Sequence, residues 1–198
     1  MSPALTTLAQ AEAALSALGP LPFPLPLGDH APAVAGAFLG MSRGDWAVVG
    51  PRERVGAALR GCPVERLVDP GEGARPYKIA PTAGPVGARA LHAVGLALAS
   101  GGPTLCLLGA ASAANGSFYE GLNAAALTGA SVLFVVLDRR IPSGAPIGPQ
   151  HAADLLALGA SLGLRAETVQ NEVEAVQAAV QRLRGGGPAL LIVAVGAA

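Results

Sequence analysis

Charge and aromatic side chains are what this sequence has least of. Only 13% of its 198 residues are charged and 4% are aromatic, where about a quarter charged is usual. Thirteen cationic residues balance thirteen carboxylates, so the formal net charge is zero. That balance argues against nucleic acid or an anionic membrane surface as a main partner. With so few rings, a core must be assembled from Ala, Leu and Val. The two cysteines, Cys62 and Cys106, have neither metal-type nor redox-type spacing, and are expected to be reduced and buried in a cytoplasmic protein. The three histidines, His30, His92 and His151, show no metal spacing, and no G-x-S-x-G elbow surrounds Ser112, Ser117 or Ser143. His92, among alanines and leucines, is expected to be a structural or interface histidine rather than a catalytic one. Met1–Pro20 lacks the basic start and cleavage pattern of a secretory leader. The longest apolar stretch, Ala90–Ala114, is cut by Gly101, Gly102 and Pro103, which suits helix, turn and strand better than a membrane span.

What the chain has in quantity is apolar sequence, 52%, arranged as strands alternating with helices. Strands are expected at Trp46–Val49, Thr104–Leu108, Ser131–Leu137, Arg165–Val169 and Ala189–Val195. Helices are expected over Ser2–Leu18, from Asp29 or His30 to Met41, and over Arg52–Arg60, Val64–Val68, Gly84–Ala99, Ser117–Leu127, Gln150–Leu162 and Glu172–Arg184. Ser117 with Glu120 has capping-box spacing, and Asn171 can cap the last helix. The alternation predicts an α/β protein with a doubly wound, mostly parallel sheet. Residues 1–27 read as an amino-terminal helix with a proline-rich connector, and residues 28–198 as one α/β domain.

The organising stretch is TLCLLGAASAANGSFYEGLNAAALTGASVLFVVLDRR, Thr104 to Arg140. It reads as strand, small-residue turn over Gly109–Gly116, helix and strand. Asp138, Arg139 and Arg140 follow the carboxyl end of the second strand, where open α/β sheets bind ligands. This stretch resembles the cofactor motif of thiamine diphosphate enzymes, in the form used by the alpha subunit of 2-oxoacid dehydrogenase decarboxylating components. Gly109, Gly116, Phe118, Glu120, Asn123, Ala125 and Ala126 match that motif. The family's metal-binding aspartate falls on Ala110, its second glycine on Ala111, and its closing asparagine pair on Asp138 and Arg139.

The resemblance extends from about Asp29 to Val195. It implies a thiamine diphosphate-binding fold, with Arg52 at the position of an arginine that meets the cofactor diphosphate, Pro51 in place of the adjoining tyrosine and Arg54 in place of a histidine. It places the backbone at Val86 near the aminopyrimidine, with Arg89 replacing a glutamine, and puts Gly109, Ala111, Ser112 and Arg139 around the diphosphate. The segment after Pro70 and the carboxy-terminal region look shortened relative to the family. Magnesium requires near-octahedral oxygen ligands. Ala110 supplies none, and Arg139 brings a permanent cation. The expectation is therefore no catalytic residue, no metal ligand and no bound cofactor, with thiamine diphosphate and magnesium held only if shifted ligands or a partner rescue the site. The expected partner is a second copy or a beta-type subunit of such an enzyme. Three functions stand: a non-catalytic assembly or regulatory relative, a working alpha subunit completed by a beta partner, and an anion-binding module built on Arg52, Arg139 and Arg140. Ser143 lies in a proline- and glycine-rich loop that, by resemblance, orders when the cofactor binds and can carry regulatory serines.

Overall fold

Five short apolar runs form one all-parallel sheet in the computed structural model, which describes residues 2–21, 26–69, 74–81, 86–139 and 151–195. The strands are β1 (Trp46–Val48), β2 (Thr104–Gly109), β3 (Val132–Asp138), β4 (Arg165–Gln170) and β5 (Ala189–Ala194), in the order β1-β2-β3-β5-β4. Side chains alternate across the sheet, as a period of two requires. Leu105, Leu107, Leu133, Val135, Leu191 and Val193 enter one core; Cys106, Leu108, Phe134, Val136, Leu190 and Ile192 enter the other. Both faces are covered, so β3 is buried along its whole length.

The helices are α1 (Pro3–Ala17), α2 (Ala31–Gly40), α3 (Val64–Leu67), α4 (Arg89–Ser100), α5 (Ala110–Ala113), α6 (Gly116–Thr128), α7 (Leu155–Ser161) and α8 (Val173–Leu183). Residues of α1, α2 and α8 fill the first core; α4, α6 and α7 fill the second. The helices that lead into β2, β3 and β4 (α4, α6 and α7) lie on the second face, and the return from β4 to β5 through α8 uses the first. Reversing direction and changing face together keeps every crossover right-handed. Helices α2 and α8 approach very closely. A Cβ added at Gly36 would lie 2.6 Å from the Val173 carbonyl oxygen, and one at Gly40 would lie 2.6 Å from Val180 Cβ. In the second core the Phe118 and Phe134 rings meet edge to face, centroids 6.4 Å apart.

The segment after β1 winds as a 3-10 helix, Glu53–Arg60. The buried Arg60 anchors its end. Its Nη1 donates to the carbonyls of Asp45 and Tyr77, each at 3.0 Å, and its guanidinium lies 5.4 Å from the Phe38 ring centre. Burial draws Arg60 down to about 10, with Asp45 opposing. The outer edge of β1 is closed by a parallel bridge between Ala47 and Ile79. Both thiols are buried. Cys106 is driven up to about 12 by burial, against the pull of Arg89, and burial likewise raises Cys62.

Several boundaries differ from the sequence reading. The helix expected from Asp29 opens as a 3-10 turn, Gly28–His30, and that expected from Gly84 opens as a 3-10 turn, Val86–Ala88, with Gly84 outside the described residues. Asn115, not Ser117, caps α6. Its Oδ1 accepts from both the Ser117 amide at 3.1 Å and the Ser117 hydroxyl at 2.8 Å, because Asn115 is where the backbone leaves extended geometry. The small-residue turn holds one turn of helix, α5. Helix α7 starts at Leu155 rather than Gln150, fixed by Asp154, whose Oδ1 accepts from the amides of Leu156 and Ala157 at 2.9 and 3.1 Å. Asn171 does not cap α8; its side-chain amide donates to the Asp29 carbonyl at 2.6 Å. The middle of the proline-rich connector, Arg140 and the loop with Ser143 lie outside the described residues. Among the described residues, no helix is long and apolar enough to cross a membrane.

Candidate functional site

Three chain segments converge above the carboxyl ends of β2 and β3. Gly28–His30 brings His30, the turn after β1 brings Arg52, and the residue after β3 is Arg139. With Gly109, Ala110, Ala111 and Leu137 they line a cavity of about 200 Å³. Of the residues singled out from sequence, Arg52, Gly109, Ala111 and Arg139 therefore share one cavity. Ser112 is buried and Val86 is exposed, and neither lines it. Within the same one-turn helix, Ala110 and Ala111 line the cavity and the buried Ser112 does not.

The electrostatics around the cavity are dense for so weakly charged a chain. Arg139 is ion-paired with Asp29. Glu53 is largely buried, 3.5 Å from His30 Nδ1. Burial is the strongest influence on Glu53 and opposes its charge. The His30 ring, the Glu53 backbone and Arg52 together outweigh it and hold the carboxyl below its ordinary range. Over Gly50 the Glu53 carboxylate and the Arg89 guanidinium close in, leaving no room for a Cβ, which would sit 2.2 Å from Oε2 and 3.0 Å from Nη1. Three guanidiniums (Arg52, Arg89, Arg139) thus stand against two carboxylates (Asp29, Glu53). The buried Arg52 Nε has no hydrogen-bond partner among the described residues.

Arg54 belongs to the scaffold. Only 1% exposed, it donates from Nη2 to the Asp69 carbonyl at 2.6 Å. Beside the main cavity a second, of about 80 Å³, is lined by Asp138, His151, Asp154 and Thr168 among others. Asp138 is the last residue of β3, not a residue beyond it, and its Oδ1 lies 3.2 Å from His151 Nε2. His151 Nδ1 lies 3.0 Å from the Ala153 carbonyl oxygen, so the ring is held from both sides. The roles of His30, Glu53 and Asp29 and the Asp138–His151 contact were not legible in the sequence, since no local spacing links these pairs.

The described residues that line the cavity do not fit a magnesium ion. The cavity wall offers two guanidiniums, an imidazole and apolar groups, and no carboxylate is among its lining residues. Among the described residues, no three His, Cys, Asp or Glu side chains are grouped to hold a metal.

Fold and cavity together define an open α/β protein with its ligand cavity at the carboxyl edge of a parallel sheet. Comparison with known proteins makes the assignment specific. Residues 68–191 match the family model described as the dehydrogenase E1 component, and the chain belongs to that family. Two solved structures share the fold. An enzyme from Mycobacterium smegmatis, assigned as thiamin diphosphate-dependent, superposes with a TM-score of 0.57 at 20% identity, over 82% of this chain and 31% of its own. Benzoylformate decarboxylase from Polynucleobacter necessarius superposes at 0.59 and 18%, over 87% of this chain and 34% of its own. The chain thus spans about a third of the length of these two proteins. No curated protein matches the sequence.

Proposed function

We propose that this chain is a non-catalytic member of the E1 family, keeping the fold and an assembly surface without a magnesium–thiamine diphosphate site of its own. The observation that supports this reading is the cavity wall itself. By resemblance, the family's metal ligands fall on Ala110 and Arg139. Ala110 has no donor atom, and Arg139 is engaged by Asp29. A cation placed there would face two guanidiniums. The assembly part rests on α4 and α6, two packed helices that expose Leu91 and Leu98, and Tyr119 and Leu127, respectively. Four exposed large apolar residues on two packed helices suit an interface with a second copy or a beta-type subunit.

The retained Glu120 and Asn123 on α6 would favour a working alpha subunit instead, and one experiment separates the two. Native mass spectrometry of the protein from its own source should find an oligomer or complex without thiamine diphosphate, even after the cofactor is added with magnesium. One cofactor per alpha–beta pair would overturn the proposal. The double variant Ala110→Asp with Arg139→Asn should acquire magnesium-dependent cofactor binding if the loss of those two ligands is the cause.

A further inference from the structure

We infer that the Gly28–His30 turn is a built-in latch on the cavity over β2 and β3: Asp29 supplies an internal carboxylate that holds the Arg139 guanidinium and withholds it from outside ligands. This rests on the reading that the chain has no magnesium–cofactor site of its own, and it names a contact within the chain that keeps the cavity closed. The Arg139–Asp29 ion pair joins the residue after β3 to the turn before α2. That turn is held by contacts that do not involve Arg139. Leu27 is buried, and its amide donates to Glu12 Oε1 of α1 at 2.5 Å. The Asp29 carbonyl accepts from the Asn171 side-chain amide at 2.6 Å, and His30 Nδ1 lies 3.5 Å from a Glu53 carboxylate oxygen. Gly28 makes the bend with φ at +59°, a conformation that glycine adopts freely and residues with a Cβ do not.

The Asp29 carboxylate is thus delivered to Arg139 by a scaffold that is already ordered. A tethered group meets its partner at an effective concentration on the order of millimolar, and a preordered one gives up little further entropy. An outside ligand at lower concentration competes at a disadvantage. The pair also has the exposure that a reversible contact needs. The Asp29 side chain is 40% exposed and that of Arg139 20%, and ion pairs this open to water contribute little to stability. The fold therefore does not depend on the contact, while the availability of Arg139 does. Arg139 lines the cavity together with Arg52 and His30, so releasing its guanidinium changes the charge that the cavity presents.

The test compares the full chain with Asp29→Asn, which keeps the side-chain shape and removes its charge. Phenylglyoxal, which modifies accessible guanidiniums, is applied at fixed low ionic strength, and labelling is followed residue by residue by mass spectrometry. Arg139 should label roughly fivefold faster in Asp29→Asn, the ratio an exposed pair of this kind can supply, with a nearly unchanged thermal midpoint. Inorganic sulfate, a plain dianion probe, should then slow the labelling of Arg139 in the variant more than in the unaltered chain. Asn171→Ala, which keeps the carboxylate but removes an anchor of the turn, should also raise the labelling of Arg139. Glu167→Gln removes a carboxylate from edge strand β4 and should leave it unchanged, which separates the latch from a change in net charge. Equal labelling of Arg139 in the unaltered chain and in Asp29→Asn overturns the inference, as does an equal gain in Glu167→Gln or equal protection by sulfate. No gain in Asn171→Ala overturns the role of the turn. A large fall in the midpoint of Asp29→Asn would make the pair a structural support and overturn the latch. Each of these results leaves the non-catalytic reading standing; that reading is overturned separately, by magnesium-dependent binding of thiamine diphosphate to the unaltered chain.

Discussion

Glu53 sits behind the cavity wall against His30, and it makes the fold sensitive to acid. Its carboxyl is held below the ordinary range although burial works against it, because His30, the local backbone and Arg52 favour the charged form. As pH falls, the unfolded chain takes up this proton before the folded one does. The stabilisation is therefore present above the ordinary carboxylate value of about 4.3 and is lost as pH falls through that value toward the lower folded one. Thermal midpoints measured from pH 7 to pH 3 should show this acid limb, and Glu53→Gln should flatten it. Equal slopes in both proteins would mean that other carboxylates dominate. Arg52 and Arg139 had been singled out from their positions in sequence. Their meeting across one cavity, and the capture of Arg139 by Asp29, depend on segments 87 residues apart (139 − 52) and 110 residues apart (139 − 29), a relation no local pattern records.

At the scale of elements, the contact between α2 and α8 sets how the first core closes. Gly36 and Gly40 face Val173, Val176 and Val180 at distances that leave no room for a side chain. Gly36→Val should therefore overpack the contact and destabilise the protein by about 1–3 kcal/mol, read as a lower denaturant midpoint. An unchanged midpoint would show that α2 can slide away from α8. Such movement would also displace His30 and Asp29, which immediately precede α2. The helices were legible where apolar periodicity ran long, as in α1, α4 and α8. Their starts were less so, since two residues competed as caps. Asn115 and Ser117 are both good caps, and Asp154 lies inside a stretch whose composition reads as helix from Gln150. The backbone hydrogen bonds, not the composition, chose between them.

At the scale of the whole molecule, the notable feature is the low charge combined with exposed apolar residues on α4 and α6. Leu98 is 52% exposed and Leu127 80%, which costs solubility unless another surface covers them. Under the proposed assembly, substituting both, Leu98→Glu with Leu127→Glu, should shift the oligomer toward monomer in sedimentation or light scattering without lowering the thermal midpoint of the monomer. An oligomer unaffected by both changes would place the interface elsewhere. His92 is also exposed on α4, where the sequence reading expects a structural or interface role.

The sequence by itself determined the fold class and the sheet. Alternating apolar runs of strand and helix length can bury their backbone polar groups in few ways, and a parallel sheet covered on both faces is the one that right-handed crossovers allow. The sequence also determined that Ala110 and Arg139 stand where the resemblance places metal ligands. Tertiary structure alone decided which charges meet. His30 with Glu53, Arg139 with Asp29, and His151 with Asp138 are pairs between separate segments, fixed by how helices and strand ends come to rest. Their energies depend on distance and burial, which sequence spacing does not contain.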